Sequence, residues 1–516
     1  MKFKIKNSWI IVCYTVGILL CGCSNPEPAK PNLVYIFPDQ FRKQAMGFWE
    51  KPGYENAIRT IGDPVETPEL DRFANEAVVL TNMVSNAPIC SPHRGSLLTG
   101  MFPGASGVPL NCNSNRPVSS LRKDAVCFSD VLDQQGYNTA YFGKWHLDYP
   151  KPNDPINPGN YVDPRTPAWD AYTPEEDRHG FQHWYSYGTW DVHKDPHYYN
   201  NQGQRTEPKE WSPKHEANQV IAYLKNEKGQ RDPEKPFAVF VSMNPPHNPY
   251  NSLNDCEEKD YNLYKDKLTK ELLVRPNADL EMDKARKAAF YFANVTGVSR
   301  EFGRIIDQLK NMGEYENTVI VFTSDHGETM CSHGINDPKN NIYTEAFDVP
   351  FLIRYPGLKA HRLDDLIMGS PDIMPTLLGV MGLQDFIPTE VQGTNYTRVL
   401  KGESDKNRPK SALYIRNIDG QKDSSGKVID YFPVARGVKT HSYTIELQID
   451  SNQKLVGTKF FNDIDDPYQM NNLPVKSDDP VVIGLLKEMV YWLKKSDDPW
   501  YQQKILSDWI DYKTDL

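Results

Sequence analysis

The stretch around Cys90 combines a thiol, the start of a helix and a nearby cation. Cys90 directly precedes Ser91 and Pro92, and a Ser cap followed by Pro at the first helical position is typical of a helix start. A thiol placed there lies where unpaired backbone N–H groups favour negative charge. Arg94 follows one helical turn later near the same face, and Gly100 is a stop signal. An isolated cysteine at a helix start is more often a buried structural residue than a reactive one. The interpretation of Cys90 therefore depends on the other motifs.

Two short apolar runs, typical of strands buried on both faces, each end in a pair of polar residues. The pairs are Asp39-Gln40 after residues 31–37 and Asp325-His326 after residues 318–323. Two carboxylates, one amide oxygen and one imidazole suit a hard divalent ion, with Ca²⁺ the first choice and Mg²⁺ the second. Any one of these residues alone would more often be an ordinary strand-end side chain, so the predicted metal site depends on the four together.

Basic side chains follow two further apolar runs and one of the acidic pairs. Lys144 and His146 follow residues 136–142, His247 follows residues 237–243, and Lys339 comes after His326. Fixed cations can stabilise the charge that develops when an anionic ester is hydrolysed. An imidazole is the side chain best suited to protonate a leaving alkoxide near neutral pH. Taken singly, each of these residues is as readily a solvated lysine or a hydrogen-bonded histidine.

Together these motifs resemble the type I sulfatases of the alkaline phosphatase superfamily. The resemblance is carried by Cys-x-Pro-x-Arg with Gly-x-Leu-Leu-Thr-Gly, by Gly-Lys-Trp-His, and by Pro-Pro-His-x-Pro-Tyr. It implies that a maturation enzyme oxidises Cys90 to Cα-formylglycine (3-oxoalanine), whose hydrate attacks a sulfate ester. It also implies that Arg94 orients this nucleophile and that position 90 belongs to the metal site.

The resemblance implies roles for the basic residues as well. By this likeness Lys144 and Lys339 hold the sulfate group, while His146 and His247 act on the hydrated aldehyde and the leaving oxygen. Which histidine does which is left open. Three features depart from the family's common pattern: His93 replaces a small residue, the two metal pairs are Asp-Gln and Asp-His, and Lys339 follows His333 by one residue more than usual.

A long segment between these motifs suggests the substrate-binding region. Residues 148–208 are rich in Pro, Tyr, Trp and His without a clear period, which predicts a long irregular insertion of the type that often carries specificity. The candidate sugar contacts are Trp190, Asp191, His193, His197 and Arg436. For each of them, an ordinary structural residue is an equally good interpretation.

Four apolar runs that each deliver charged or imidazole residues at their ends predict an open, mostly parallel α/β sheet flanked by helices. In such sheets, sites form in the crevice beyond the carboxyl ends of the strands. The resemblance implies the alkaline phosphatase-like version of this fold. From about residue 383 the chain becomes more polar, and residues 411–415, 441–448 and 481–495 predict a smaller C-terminal α+β domain of strands and one helix.

The first residues predict the cellular location. Lys2, Lys4 and Lys6 precede an apolar run that ends in Leu20-Cys21-Gly22-Cys23. This pattern resembles a bacterial lipoprotein signal peptide over residues 1–23, with Cys23 lipidated; a plain signal peptide is the alternative. The expected organisation is a tether at 24–31, a catalytic domain at 32–383 and a C-terminal subdomain at 384–516. The expected location is the bacterial cell envelope, with the membrane reached through the lipid anchor.

Composition limits the partners. The 516-residue chain has a formal net charge of −10, which argues against nucleic acid as a partner, so an anionic substrate must be held by local cations. Cys112, Cys127, Cys256 and Cys331 match no metal or disulfide framework and their pairing stays open.

The function that these observations favour is hydrolysis of sulfate esters on a sulfated polysaccharide or oligosaccharide. A phosphodiester or phosphonate monoester hydrolase of the same superfamily is the alternative, since the site charge differs little. A glycan-binding lipoprotein without catalysis is a third interpretation, against which the intact set of Cys90, Arg94, Lys144 and His146 speaks.

Overall fold

The strands of the computed structural model form two sheets. The structure describes residues 30–150, 166–510 and 512. The predicted signal peptide, the lipidation of Cys23 and nearly all of the tether lie outside the described residues. Within the described part of the chain, no helix has both the length and the apolar character to cross a membrane.

The larger sheet contains ten strands in the order β10-β2-β9-β8-β1-β7-β3-β4-β5-β6, and the smaller one runs β11-β12-β13-β14. In chain order the strands are β1 (Asn32–Ile36), β2 (Val78–Met83), β3 (Asn138–Lys144), β4 (His183–Tyr187), β5 (Tyr198–Asn200), β6 (Arg205–Thr206), β7 (Phe237–Ser242), β8 (Thr318–Thr323), β9 (Phe351–Arg354), β10 (Arg362–Met368), β11 (Ser411–Asp419), β12 (Tyr431–Thr440), β13 (Tyr443–Ile449) and β14 (Leu455–Asn462).

Helices flank both sheets. They are α1 (Pro68–Ala74), α2 (Cys90–Thr99), α3 (Pro103–Ser106), α4 (Phe128–Gln134), α5 (Ser212–Leu224), α6 (Glu258–Tyr261), α7 (Thr269–Leu272), α8 (Ala288–Asn311), α9 (Thr344–Phe347), α10 (Ile373–Val380), α11 (Thr397–Leu400), α12 (Pro480–Lys495) and α13 (Pro499–Gln502).

The centre of the larger sheet is buried on both faces, as its apolar runs predict. Every residue of β1, β7 and β8 is buried. Alternate side chains of β1 enter different cores: Val34 packs in the cluster that contains α5 and α8, while Leu33 packs with α2, α4 and α10. This alternation follows from the two-residue period of a strand.

The predicted fold class is confirmed. β8, β1, β7 and β3 are neighbours paired in parallel, so their carboxyl ends meet at one edge of the sheet. These are the four strands that deliver the candidate residues. β9 is antiparallel to β2 and β8, which makes the sheet mixed rather than wholly parallel.

Two local expectations are wrong. The segment expected to be irregular contributes β4, β5 and β6, which extend the larger sheet beyond β3. Helix α2 begins at Cys90, with Ile89 as its extended cap (φ −152°, ψ 147°), rather than at a Ser91 cap.

The smaller sheet is antiparallel, and α12 packs on it. Leu413, Ile445, Leu486 and Leu493 share one apolar core there, as expected for a C-terminal α+β unit. The division at residues 383 and 384 stays a prediction.

Candidate active site

Cys90 is the first residue of α2 and is buried. The loop residues after the helix hold its start: the Ser91 backbone N–H donates to Asn111 Oδ1 (2.9 Å), and the Cys112 N–H donates to Ser91 Oγ (3.0 Å). Gly100 ends the helix in the left-handed region at φ 67°, where a residue without a side chain is favoured. The helix therefore ends at the glycine that the sequence predicts.

Arg94 joins the ends of four strands. Its Nε and Nη2 donate to Asp325 Oδ2 (3.1 and 2.9 Å), and Nη2 also donates to Asp39 Oδ2 (3.2 Å). Its Nη1 donates to the Lys144 carbonyl (2.8 Å) and to Ser242 Oγ (2.6 Å). Because these partners follow β8, β1, β3 and β7 or end them, Arg94 fixes the geometry of the predicted metal ligands. The guanidinium of Arg94 is buried, and the hydrogen bonds given above connect it to other residues of the protein.

The predicted metal ligands converge. One ligand atom from each of Asp39, Cys90, Asp325 and His326 lies within 4.8 Å of the others, and all four residues are buried. His326 Nε2 is 3.3 Å from both Asp39 Oδ1 and Cys90 Sγ. Gln40 adjoins the group, since its N–H donates to Asp325 Oδ1 (3.1 Å).

This group fits a divalent cation. Burial raises the pKa of Asp325, and the Asp39 carboxylate raises it further. Burial lowers the pKa of His326, but Asp325 reverses this effect and the value rises to about 10. Both shifts show that the pocket favours added positive charge. Gln40 Oε1 is buried without a hydrogen-bond partner among the described residues, and an amide oxygen is a suitable ligand for Ca²⁺ or Mg²⁺.

The two predicted lysines both reach Cys90. Lys339 Nζ is 3.2 Å and Lys144 Nζ is 4.0 Å from Cys90 Sγ. Lys144 also contacts Asp39 Oδ2 at 2.7 Å and donates to Asn244 Oδ1 at 3.2 Å. Burial and Asp39 raise the pKa of the Cys90 thiol, but Lys144, Lys339 and His326 outweigh them, and the pKa is lowered well below its usual value. Position 90 therefore lies in a strongly positive field.

His146 and His247 have different electrostatic surroundings. His146 Nε2 donates to the Cys112 carbonyl (3.0 Å), and burial lowers its pKa, so the ring is neutral with Nδ1 as its acceptor. His247 Nδ1 donates to the Asn248 carbonyl (2.7 Å), and its Nε2 lies 2.8 Å from Lys339 Nζ.

The pKa of His247 is raised above its usual value. Burial, Lys339 and Lys144 each lower it, while Asp39 and Asp191 raise it, with the net shift upwards. Asp191 Oδ1 lies 3.4 Å from His247 Nδ1. His247 is thus the imidazole of this pair that is better suited to carry a proton.

Of the predicted substrate contacts, Asp191 and His193 lie beside the residues around Cys90, whereas His197 and Trp190 contact each other. Asp191 contacts His247, and His193 Nε2 lies 3.4 Å from Asn244 Nδ2 behind Lys144. His193 is buried, and burial lowers its pKa to about 4, so its ring is neutral. His197 is buried against Asp170 Oδ2 (2.7 Å), and the half-buried Trp190 ring lies against His197 with centroids 4.8 Å apart.

Arg436 is a correction to the predicted set. It lies on β12 of the smaller sheet, is 1% exposed, and bonds Asp498 Oδ2 at 2.8 Å. Its Nη1 donates to the carbonyls of Arg416 and Ala435 (3.0 and 2.7 Å). A guanidinium buried among these partners is a structural cross-link of the C-terminal sheet, not a sugar contact.

The sequence patterns did not identify three residues of the site. Asn244 joins Lys144 to Asp191, Ser242 receives Arg94, and Glu328 accepts from the Gln40 amide and from Lys284. Asn244 could have been found, since it directly precedes the Pro-Pro-His motif. Ser242 and Glu328 carry no signal beyond their position at strand ends.

Comparisons with protein families give two matches. The model described as Sulfatase matches residues 31–383, and the model described as N-sulphoglucosamine sulphohydrolase, C-terminal, matches residues 331–496. Together these matches cover both sheets.

Individual relatives agree with the family models. The chain is 56% identical to the endo-4-O-sulfatase of Bacteroides thetaiotaomicron over 95% of this chain and 98% of that protein. It is 32% identical to an ulvan-active sulfatase of Formosa agariphila over 87% and 78% of the two chains. A solved 4S-sulfatase structure, described with the metabolism of multiple glycosaminoglycans by Bacteroides thetaiotaomicron, aligns with a TM-score of 0.92 at 56% identity. It covers 94% of this chain and 100% of its own.

Proposed function

The chain belongs to the sulfatase family, and from this premise we propose that it releases inorganic sulfate from sulfated glycans with a formylglycine made from Cys90. The enzyme class, a sulfuric ester hydrolase, is established by the family and by the relatives. The observation that carries the proposal is the convergence of Lys144 and Lys339 on Cys90 beside two buried carboxylates. Two fixed cations and a metal pocket next to one nucleophile match the charge of a sulfate ester.

The nucleophile is proposed to be made after translation. Cys90, Pro92 and Arg94 are intact, and these are the residues that we expect a maturation enzyme to read before the chain folds. Once formed, the hydrated aldehyde supplies a hydroxyl oxygen as the nucleophile towards sulfur. In the folded protein this position is surrounded by Lys144, Lys339 and His326, which favour an anionic oxygen.

We propose Ca²⁺ as the metal. Asp39, Gln40, Asp325 and His326 would hold it, together with the modified residue 90. When bound, the cation polarises sulfate oxygens and stabilises negative charge on the nucleophile. The predominance of oxygen ligands favours Ca²⁺, with Mg²⁺ as the second choice.

The remaining steps are assigned to residues of the chain. Lys144 and Lys339 bind the non-bridging sulfate oxygens and stabilise their charge as the sulfur–oxygen ester bond breaks. His247 donates the proton at Nε2 to the leaving sugar oxygen once Lys339 Nζ, which lies 2.8 Å from that nitrogen, has turned to the sulfate group. The pKa of His247 is raised and its Nδ1 is oriented by the Asn248 carbonyl. His146 is the neutral acceptor towards position 90. The attack joins one hydroxyl oxygen of residue 90 to sulfur. Loss of the proton from its second hydroxyl to His146 would then break the bond between carbon and the sulfated oxygen, which releases inorganic sulfate and restores the aldehyde, and water would rehydrate it. The products are a sugar hydroxyl and inorganic sulfate.

The glycan substrate and the location are proposals of the same kind. The 56% identical relative is named an endo-4-O-sulfatase, which supports a 4-sulfated sugar within a glycan. We propose that lipidated Cys23 anchors the enzyme in the bacterial cell envelope, where such polysaccharides are met.

Sulfate release from a panel of sulfated mono- and oligosaccharides tests the proposed function. The enzyme is co-produced with a maturation enzyme and supplied with Ca²⁺, and sulfate is measured by ion chromatography. Release from a 4-sulfated oligosaccharide is expected, and Cys90→Ala prepared in parallel is the control. Release from no sulfated glycan by converted enzyme would contradict the proposal.

A further inference from the structure

A cavity of about 360 Å³ adjoins the Cys90 loop on the side of the smaller sheet. Its walls come from the residue before α2, the segment at 109–116, the loop that carries Lys339, and the end of β11. The wall includes Ile89, Asn111, Arg116, Asn340, Asn417 and Asp419.

Two wall residues of the cavity are direct sequence neighbours of active-site residues. Ile89 directly precedes Cys90, and Asn340 directly follows Lys339. Neighbouring Cα atoms are about 3.8 Å apart, so the cavity begins within one residue of both the nucleophile and a sulfate-binding lysine. The Asn340 N–H donates to the Pro88 carbonyl (2.8 Å), which holds the two loops together.

Arg116 gives this cavity a directional donor. Its Nε bonds Asp419 Oδ1 at 2.8 Å and its Nη1 donates to the Asn111 carbonyl at 3.1 Å. These bonds fix the plane of the guanidinium, and the side chain is 23% exposed. Among the described residues no hydrogen bond engages its Nη2 group, which can therefore donate to an acceptor oxygen of a ligand, while Asp419 can accept from a hydroxyl.

In the same wall, the side-chain carbonyl oxygen of Asn417 lacks a hydrogen-bond donor among the described residues. Its Nδ2 donates to the Pro109 carbonyl (3.2 Å), which settles the orientation of the amide. Its Oδ1 is buried without a hydrogen-bond partner among the described residues. An unpaired buried carbonyl is costly, and a hydroxyl group held against this wall would supply the missing donor.

We propose that this cavity binds the sugar unit next to the sulfated one. The inference rests on the proposed function and deepens it: the ligand class is a hydroxylated monosaccharide unit within an oligosaccharide, and the enzyme recognises a sulfate ester inside a chain. Arg116 donates to an acceptor oxygen of this neighbouring sugar, and Asn417 accepts from one of its hydroxyls. The apolar side chains in the wall, among them Ile89 and Ile415, cover the ring faces.

The test compares a sulfated tetrasaccharide with 4-nitrophenyl sulfate, which has no neighbouring sugar. Arg116→Ala and Asn417→Ala are each expected to lower kcat/KM on the tetrasaccharide by about tenfold, mainly through KM, as for loss of one ligand hydrogen bond. Activity on 4-nitrophenyl sulfate is expected to change less than about twofold. Arg116→Lys is expected to fall between Arg116→Ala and the wild type. Equal losses on both substrates, or no loss on either, would overturn the inference.

Arg122→Ala is the matched control. Arg122 also bonds an aspartate (Asp124 Oδ1, 3.0 Å) and a backbone carbonyl (Ala105, 3.0 Å), but it does not line the cavity. It is expected to leave both substrates unaffected. A loss on the tetrasaccharide equal to that of Arg116→Ala would show an effect of surface charge alone and would overturn the inference.

A binding measurement separates this inference from the proposed function. Calorimetry with unconverted protein, made without the maturation enzyme, gives the Kd of the tetrasaccharide without turnover. Arg116→Ala is expected to raise that Kd about tenfold; an unchanged Kd would overturn the cavity assignment. By contrast, a wild-type enzyme that releases sulfate from no glycan would contradict the proposed function itself.

Discussion

Arg94 and Arg436 are both buried arginines paired with aspartate, yet they lie in very different surroundings. Arg94 joins four strand ends of the larger sheet and contacts two carboxylates that also face Cys90. Arg436 joins one aspartate and two carbonyls within the smaller sheet. A buried ion pair therefore says little about function by itself.

The region around Arg94 differs in what its neighbours leave unpaired. Gln40 Oε1 and His146 Nδ1 are buried there without a partner among the described residues, and two lysines converge on Cys90. Around Arg436, the carboxylate of Asp498 is shared with the start of α13, where it accepts from the Trp500 N–H (2.9 Å). Buried polar groups that lack a hydrogen-bond partner are typical of the active site. Buried polar groups that are fully hydrogen-bonded to one another are typical of a structural cross-link.

Removing the reactive atom is expected to have the largest effect. Cys90→Ala leaves no side chain that can be converted to an aldehyde, so sulfate release should fall by about 10⁴-fold or more. Initial rates on a sulfated oligosaccharide measure this loss. The folded state should persist, and circular dichroism checks it; residual activity within tenfold of the wild type would contradict the assignment.

Changing Arg94 should come next. Arg94→Lys keeps a positive charge but cannot bridge Asp39 and Asp325 in the same way, so kcat should fall by about 10²–10³-fold through misplaced metal ligands. Ca²⁺ titrations of activity should show weaker apparent metal affinity in the same variant. A wild-type kcat with wild-type Ca²⁺ dependence would show that Arg94 is no more than a structural cross-link, like Arg436.

His247→Gln should affect substrates according to their leaving groups. A sugar alkoxide needs a proton and a nitrophenolate hardly does, so the loss should be about 10²-fold or more on the glycan and much smaller on 4-nitrophenyl sulfate. The raised pKa of His247 also determines the direction in which kcat changes with pH. The donor is protonated below that pKa, so kcat on the glycan should fall as the pH rises through it.

The pH profile of His247→Gln provides the check. The alkaline fall in kcat on the glycan should be absent in this variant. A fall that persists unchanged would assign it to another group, and equal losses on both substrates would reject His247 as the proton donor.

Arg436→Gln should damage stability and spare catalysis. It leaves Asp498 buried without its cation, and breaking such a pair costs about 3–5 kcal/mol. Calorimetry should show a lower Tm, while kcat and KM of the folded enzyme stay within about twofold. A raised KM for the glycan with unchanged Tm would restore Arg436 as a substrate contact.

The smallest effect is expected at His193, which supports Asn244 from behind Lys144. His193→Ala should lower kcat/KM on the sulfated sugar a few-fold, and less on 4-nitrophenyl sulfate. Steady-state kinetics on both substrates measure the difference. Equal losses on the two would count against a role in sugar recognition.

Much of the larger sheet could be predicted because its central strands are buried on both faces and read as unbroken apolar runs. The parallel order of β8, β1, β7 and β3 then brings the candidate residues together, which is a consequence of topology. Helix α2 begins two residues before the predicted start, because Ile89 with its extended backbone, not the Ser91 side chain, forms its cap.

Other features depend on information that a single sequence does not carry. β4, β5 and β6 are short, and β4 and β5 are rich in tyrosine without an alternating pattern. Successive pairing outward from β3, rather than local preference, therefore makes them strands. Arg436 is a candidate sugar contact by its residue type alone, whereas its burial against Asp498 is set by the tertiary fold. Ser242 and Glu328 become site residues only through neighbours distant in sequence.

The most direct test of the central claim measures conversion and activity on the same samples. Preparations made with graded amounts of maturation enzyme are analysed by peptide mass spectrometry for loss of the Cys90 sulfur and assayed for sulfate release from a 4-sulfated oligosaccharide. The rate is expected to be proportional to the converted fraction and to pass through zero for unconverted protein. A substantial rate from fully unconverted protein would contradict this expectation.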